Sequence, residues 1–323
     1  MNYGELIGEA FRITLRNRYL WFFGFFAGGS TSFNVPTNVP AGSGGFDSDD
    51  FQSSSSILSA LQVGQGLGTG VLIASLVIVV IIIALFFIFM SLVSQGALAD
   101  SVAAIDRGDR RNFGRAFRSG MGNFWRVLGY YVVFFLIAIG LLLVIGIPVA
   151  LVIGGTFAAT QSLGARITVS VVVGLLAVLA LIVVFVPLSI IGQYALREIV
   201  VRRERILGSV GSGYGLFRRN MGRSLLILLI QFGISIGIAI AFFLALLIVG
   251  LVLALPAIAL AVAGSTTGAI IAGVIAAVIL IPLLLVATGA IGTFSHAYWT
   301  LAYLRLTAGT TPPTAAPSPY PST

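Results

Sequence analysis

Residue types that carry out chemistry are scarce in this sequence. His296 is its single histidine and cysteine is absent, so a two-histidine metal site, a thiol nucleophile and a cysteine-held metal are excluded. A Ser-His-Asp triad would depend on His296 alone. This histidine lies beside Tyr298 and Trp299, and aromatic residues near the end of a membrane span are typical of interface anchors. The sequence therefore predicts no enzymatic activity, no metal and no cofactor.

Three aspartates form the other cluster with metal-binding potential. Asp47, Asp49 and Asp50 lack the twelve-residue ligand pattern of an EF-hand loop. They lie in a stretch from about 29 to 56 that has no arginine and is rich in Gly, Ser, Asn and Pro. Such a composition is typical of a solvated, disordered loop. We expect this loop to be external, because arginine-rich segments stay on the cytoplasmic side.

Arginines are the charged groups with the clearest functional potential. All 18 basic residues are arginines, and those between 202 and 223 alternate with apolar residues. A helix of this kind can lie in the membrane interface while its guanidinium groups reach lipid phosphates. The predicted contacts to anionic headgroups are Arg202, Arg203, Arg218 and Arg219. The alternative is that these charges only fix the topology.

The apolar composition defines the elements that must position these groups. The chain is 58% hydrophobic and 9% charged, and water is not the main solvent of such a chain. Apolar runs at 69–93, 127–153, 167–191, 224–263 and 269–291 each reach the roughly 20 residues that a membrane-spanning helix needs. They do not alternate between apolar and polar residues as barrel strands do. The predicted fold class is an all-α transmembrane bundle.

The distribution of arginine predicts six crossings with both termini cytoplasmic. Arginines gather at 12–18, 107–126 and 197–223, and all three segments stay cytoplasmic only if Tyr19 to about Phe33 forms an additional short span. A signal peptide is the alternative for the N-terminus. The amphipathic pattern of residues 3–15 favours an interfacial helix. The run at 224–263 predicts one helix that breaks near Gly250 and Pro256.

A repeated pattern divides the chain into three units. Four positions recur at offsets of 106 and 203, in the sets Gly8, Ala10, Phe11 and Asn17; Gly114, Ala116, Phe117 and Asn123; and Gly211, Gly213, Tyr214 and Asn220. Each predicted unit is an amphipathic cytoplasmic helix followed by a transmembrane hairpin, at about 1–95, 96–193 and 194–306. They form one domain over 1–306, followed by a Pro-rich, disordered cytoplasmic tail at 307–323.

One small-residue pair suggests close helix packing. Gly233 and Gly237 are four residues apart in the fifth predicted span, within the run at 224–263, a spacing that lets membrane helices approach closely. Packing within the chain is the interpretation, and a dimer interface is the alternative. Gln231, two residues before Gly233, is predicted to bond to a neighbouring helix or to contact a substrate.

Two segments carry a resemblance to a known family. The connector 195–201, leading into 211–220, resembles that of the glycerophosphoryl diester phosphodiesterase membrane-domain family, and so does the ending 298–305. The resemblance implies a helical membrane domain that is sometimes fused to a soluble phosphodiesterase domain. The His-Arg motif and following Glu ligands of that catalytic domain are missing here, so the resemblance does not extend to its activity.

The sequence thus predicts an integral protein of the cytoplasmic membrane that serves as a scaffold or accessory component. Its predicted partners are membrane lipids with anionic headgroups, and not nucleic acid; no motif identifies a protein partner. The alternative is a transporter or lipid-handling permease. A permease would need a polar pathway between the hairpins.

Overall fold

The structure is a computed structural model that describes residues 2–28 and 67–308, with side chains from residue 74 onward in the second segment. The predicted external loop with its three aspartates, and the tail from 309, lie outside the described residues. The all-α fold class is confirmed. The helices are α1 (Tyr3–Arg16), α2 (Leu20–Gly28), α3 (Leu67–Asp106), α4 (Phe113–Ala159), α5 (Leu163–Val201), α6 (Ile206–Arg219), α7 (Met221–Val262) and α8 (Thr266–Ala308).

Local polar residues define where α4 and α5 begin. Asn112 Oδ1 accepts a hydrogen bond from the backbone N–H of Arg115 at 3.0 Å, and Ser162 Oγ accepts one from that of Ala165 at 3.4 Å. Such caps satisfy N–H groups that have no partner inside the helix. Before α4, the chain turns at Gly108 with φ +89°, a conformation that favours glycine. The arginines of this region are therefore held at a defined helix start.

Five helices, α3, α4, α5, α7 and α8, are long and apolar enough to cross a membrane. They contain 39 to 47 residues, which corresponds to about 58–70 Å and is roughly twice the thickness of the hydrocarbon layer. Large apolar side chains are exposed along 76–88, 132–157, 163–183 and 225–286. An apolar surface of this extent is suited to lipid rather than water.

The buried core does not lie among these exposed apolar stretches. It lies at the ends of the long helices that are near the arginine-rich turns. Trp299 of α8 packs against Tyr194 of α5 with ring centroids 6.2 Å apart. Tyr298 Oη donates to the backbone oxygen of Ile227 at 2.9 Å, and Tyr194 Oη lies 3.0 Å from Ser224 Oγ. These buried hydroxyl groups join α5 and α8 to α7 and leave the apolar rings to fill the core.

The described part of α2 is too short to cross a membrane. It has nine residues, about 13 Å at ~1.5 Å per residue. The sixth predicted crossing begins at Tyr19, one residue before this helix, and its continuation past Gly28 lies outside the described residues. The described helices provide five candidate crossings, and the sixth stays a prediction.

Glycines bring α2 against α8. A Cβ atom on Gly24 would overlap the backbone oxygen of Gly289 and the side chain of Thr293, and one on Gly292 would overlap the backbone of Gly24. Thr293 Oγ1 donates to the backbone oxygen of Leu20 at 2.9 Å. Backbones this close leave no room for a side chain on either helix. The crossing joins the N-terminal segment to the last helix.

Gly233 and Gly237 do not form such a contact within the described chain. Both are exposed on α7, and a Cβ on either would meet no heavy atom within 4 Å. The described residues supply no partner for the predicted internal packing, because the spacing makes one helix face smooth but does not by itself supply a neighbour for it. The predicted bond of Gln231 to a neighbouring helix is confirmed, since its Nε2 lies 3.3 Å from Ser295 Oγ of α8.

Two helices continue where the sequence predicted interruptions. α7 is a single helix, as expected, but it runs through Gly250 and Pro256 without a break. The amphipathic segment predicted before the second hairpin is the first part of α4 and not a separate helix. In contrast, α1 and α6 are separate short helices.

The asparagines of the repeated pattern make the same local hydrogen bond. In each case Nδ2 donates to the backbone oxygen four residues earlier, at 3.0, 3.0 and 3.3 Å for Asn17, Asn123 and Asn220. One further position of the pattern is buried in all three copies, namely Ala10, Ala116 and Gly213. Corresponding residues thus share local structure.

Candidate functional site

A cleft of about 430 Å³ opens at the arginine-rich end of the fold. It lies between the last turns of α3, the first turns of α4 and the turn that joins α5 to α6. We call it the arginine cleft. Its lining residues are Asp100, Arg111, Arg115, Arg118, Ser119, Gly122, Asn123, Arg126 and Arg203.

One face of α4 supplies three of the arginines. Arg115, Arg118 and Arg126 are three and eight residues apart, and the 3.6-residue period of an α-helix places such positions on one side. Gly122 lies between them, and a Cβ there would meet no heavy atom within 4 Å. The absence of a side chain at Gly122 keeps the middle of this arginine-bearing face open.

Positive charge is in excess in the arginine cleft. The five guanidinium groups face a single carboxylate, Asp100, whose Oδ2 lies 3.2 Å from Arg111 Nη2 and accepts a hydrogen bond from Ser119 Oγ at 2.7 Å. None of the ion pairs in the described residues involves the other four arginines. Clustered guanidinium groups are suited to a ligand with several anionic oxygens, above all a phosphate group.

Arg203 completes the cleft from the turn between α5 and α6. Its φ of +57° is the only positive value of a non-glycine residue in the described chain. The left-handed conformation is unfavourable for a residue with a Cβ, by about 1–2 kcal/mol. An arginine held in this strained conformation at a charged cleft is an indication of function.

We expect Arg203→Gly to raise the free energy of unfolding by about 0.5–1 kcal/mol. The relief of left-handed strain exceeds the cost of glycine's greater freedom in the unfolded chain. The matched control is Arg202→Gly, because Arg202 has a right-handed backbone (φ −95°) and lies 3.6 Å from Glu198. The control should be destabilising. Thermal unfolding in detergent measures both variants, and equal shifts in the same direction would contradict the expectation.

The predicted headgroup contacts are not all in one place. Arg203 lines the cleft, whereas Arg202 pairs with Glu198 beside it. Arg218 and Arg219 are exposed at the end of α6 and do not line the cleft. The structure thus brings one of the four predicted residues into the candidate site.

The sequence analysis missed the arginines that α4 and the turn before it contribute. A signal was available for three of them, because Arg115, Arg118 and Arg126 share a helical face with Gly122. No sequence signal links this face to Arg203, which is distant along the chain. Their proximity depends on the packing of α4 beside α5.

His296 is placed differently from the sequence prediction. Its side chain has only 2% exposure in the core, so it is not an anchor in an interfacial aromatic belt, and this prediction is corrected. The aromatic residues around it are buried too, because the end of α8 is covered by other helices. Within the described residues, no group of three or more histidine, aspartate or glutamate side chains is suited to a metal ion.

The fold and the cleft define a helical protein class with several helices suited to membrane crossing and a basic surface at one end. The chain belongs to a family of unknown function, DUF7544, whose model matches residues 19–311 and so includes the cleft. No curated protein and no solved structure matches the chain. The resemblance to phosphodiesterase membrane domains stays a prediction.

Proposed function

We propose that this protein is an integral, non-catalytic protein of the cytoplasmic membrane that holds phosphate-bearing lipid headgroups in the arginine cleft. In this role it serves as a scaffold or accessory component of the membrane. The observation that carries the proposal is the gathering of five guanidinium groups around one carboxylate that is already paired. Arginine forms two parallel hydrogen bonds to phosphate oxygens, which favours a phosphate ligand over a halide in this open site.

The surroundings of the cleft support a lipid as the source of the phosphate. Trp125, adjacent to Arg126 on α4, is 77% exposed, and Met121 is exposed one turn earlier. Exposed tryptophan is typical of the level where hydrocarbon meets headgroups. A lipid with its phosphate in the cleft could lay its chains along the apolar exposed part of α4.

Three arginine changes in the cleft are expected to reduce lipid retention at least about tenfold. Each guanidinium near an anionic surface contributes about 1 kcal/mol, less at high salt. The test compares Arg115→Gln/Arg118→Gln/Arg126→Gln with the wild type by native mass spectrometry, counting co-purified phosphatidylglycerol and cardiolipin. The matched control, Arg218→Gln/Arg219→Gln/Arg223→Gln, removes the same charge outside the cleft and should retain more lipid than the cleft variant.

The outcomes separate three explanations. Equal lipid retention by the wild type and a correctly folded cleft variant would reject headgroup binding in the cleft. Equal losses of co-purified lipid in the cleft variant and the control would favour a general attraction of anionic lipid to any basic surface of the protein. If free inorganic phosphate displaces the retained lipid at millimolar concentration, the site recognises phosphate rather than a lipid.

We also propose six crossings, cytoplasmic termini and three repeated units. Support comes from the location of the arginine-rich turns at one end of the bundle, because arginine-rich loops stay cytoplasmic. Further support comes from the equivalent hydrogen bonds of the repeated asparagines Asn17, Asn123 and Asn220.

Single cysteines test this topology, because the chain has none of its own. A cysteine in place of Ser54 should react with an impermeant maleimide in intact cells. One in place of Ser318 should react only after the cells are permeabilised. The reverse pattern would overturn the proposed orientation.

A lipid-handling permease is the second candidate. Polar side chains buried between the long helices favour it, in particular Ser94, Gln95 and Ser101 of α3. Proteoliposomes with labelled lipid distinguish the two functions. Transfer of lipid between leaflets would favour the permease, and retention without transfer would favour the scaffold.

A further inference from the structure

A single positively charged side chain is buried in the core, away from the arginine cleft. Arg197, near the end of α5, has 0% exposure. Its Nη1 donates to the backbone oxygen of Gln193 at 2.9 Å and contacts Oε1 of the same side chain. Its Nε and Nη2 have no hydrogen-bond partner among the described residues. Part of the guanidinium is therefore left unsatisfied by the described residues.

No carboxylate of the described residues pairs with this charge. The ion pairs formed in the described segments do not include Arg197. The neighbouring Glu198 pairs with Arg202 at 3.6 Å instead. A guanidinium group keeps its charge at physiological pH, and an unpaired charge in a protein interior is strongly unfavourable. The described residues therefore leave this charge without a counter-ion.

The side chains around Arg197 are phenols, an imidazole and amides, which carry no negative charge at neutral pH. The phenols of Tyr130, Tyr131 and Tyr194 and the imidazole of His296 lie close enough to Arg197 to interact with its charge. Tyr131 Oη bonds to Oε1 of Gln95, whose Nε2 is buried and lacks a partner in the described structure. Cationic and amide N–H groups without acceptors are suited to an anion.

We propose that the junction of α3, α5 and α8 binds one small inorganic anion of the halide class, held by Arg197 with Gln95. The complete burial of Arg197 excludes a lipid headgroup, and a single buried guanidinium calls for a single negative charge. This site is independent of the arginine cleft, whose lining does not include Arg197 or Gln95.

Bromide is the probe for this site. Full-length protein in neutral detergent is dialysed against sodium bromide or sodium gluconate at equal ionic strength, and bound bromide is measured by ion chromatography. We expect about one bromide per chain and a saturable rise of the melting temperature, since a ligand of the native state stabilises it by mass action. If water alone satisfies Arg197, the wild type binds no bromide, and the proposal is rejected.

Gln193→Glu is the decisive variant. Gln193 Oε1 already contacts Arg197 Nη1, so a carboxylate of the same shape supplies the missing charge without opening a cavity. We expect loss of bound bromide together with a melting temperature at or above that of the bromide-free wild type. Unchanged bromide binding by this variant would overturn the proposal.

The matched control is Gln161→Glu, which makes the same change beside an arginine on the surface. Gln161 is exposed, and its Oε1 lies 3.3 Å from Arg166 Nη2. Bromide binding should be unchanged in this control. It should also persist in the triple cleft variant of α4, so failure of the lipid proposal and failure of this one are separable.

Discussion

Gly24→Ala is expected to lower the free energy of unfolding by about 3 kcal/mol or to prevent folding, the upper part of the range for overpacking. A Cβ on this residue would overlap the backbone oxygen of Gly289, which cannot rotate away as a side chain can. The helices α2 and α8 must therefore separate, and the bond from Thr293 Oγ1 to the Leu20 oxygen is lost. Thermal or denaturant unfolding in detergent measures the effect.

The matched control for this change is Gly237→Ala. A Cβ there meets no heavy atom within 4 Å, and alanine favours a helix over glycine by up to ~1 kcal/mol. The same substitution should thus have opposite signs at the two positions. A loss of stability at Gly237 would indicate that a second copy of the chain covers this face, which is the dimer alternative.

Trp299→Ala is expected to destabilise the protein by about 3–5 kcal/mol, the usual cost of removing a buried aromatic ring. Trp299 has 2% exposure and packs edge-to-face with both Tyr194 and Tyr298. Its removal would leave a cavity where α5 and α8 meet. Chemical unfolding followed by helical circular dichroism provides the measurement.

Trp125→Ala is the control for this variant because Trp125 is 77% exposed. Its removal should change stability by no more than about 0.5 kcal/mol, as for most surface substitutions. Comparable destabilisation by the two variants would mean that the core does not depend on the end of α8. The Trp125 variant also reports on lipid retention beside the cleft.

Sequence reasoning located the long helices because their cause is local. Runs of about 20 apolar residues have to be helical in lipid, where every backbone polar group needs a partner within the segment. The runs at 127–153 and 167–191 accordingly lie inside α4 and α5. The predicted runs are shorter than the helices. The helices extend into a protein-covered core, where polar residues such as Gln193 and Arg197 are tolerated.

The cleft was predictable only in part. The arginine-rich segments were visible as charge, and Arg203 was among the predicted contacts. The arginines converge in the cleft because α4 packs beside the turn after α5. Hydropathy does not specify which helices are neighbours. For the same reason His296 was assigned to an interface, although helix packing buries it.

The sequence by itself determined the all-α class, the five long apolar helices and the segments that carry arginine, because composition and periodicity act over one or two helical turns. Only the tertiary structure decided which glycines touch, where the arginines converge and that Arg197 has no counter-ion among the described residues. Gly24 and Gly237 are both glycines in apolar helices, and they differ only in what lies opposite. Such contacts join residues far apart in the chain, and no local pattern records them.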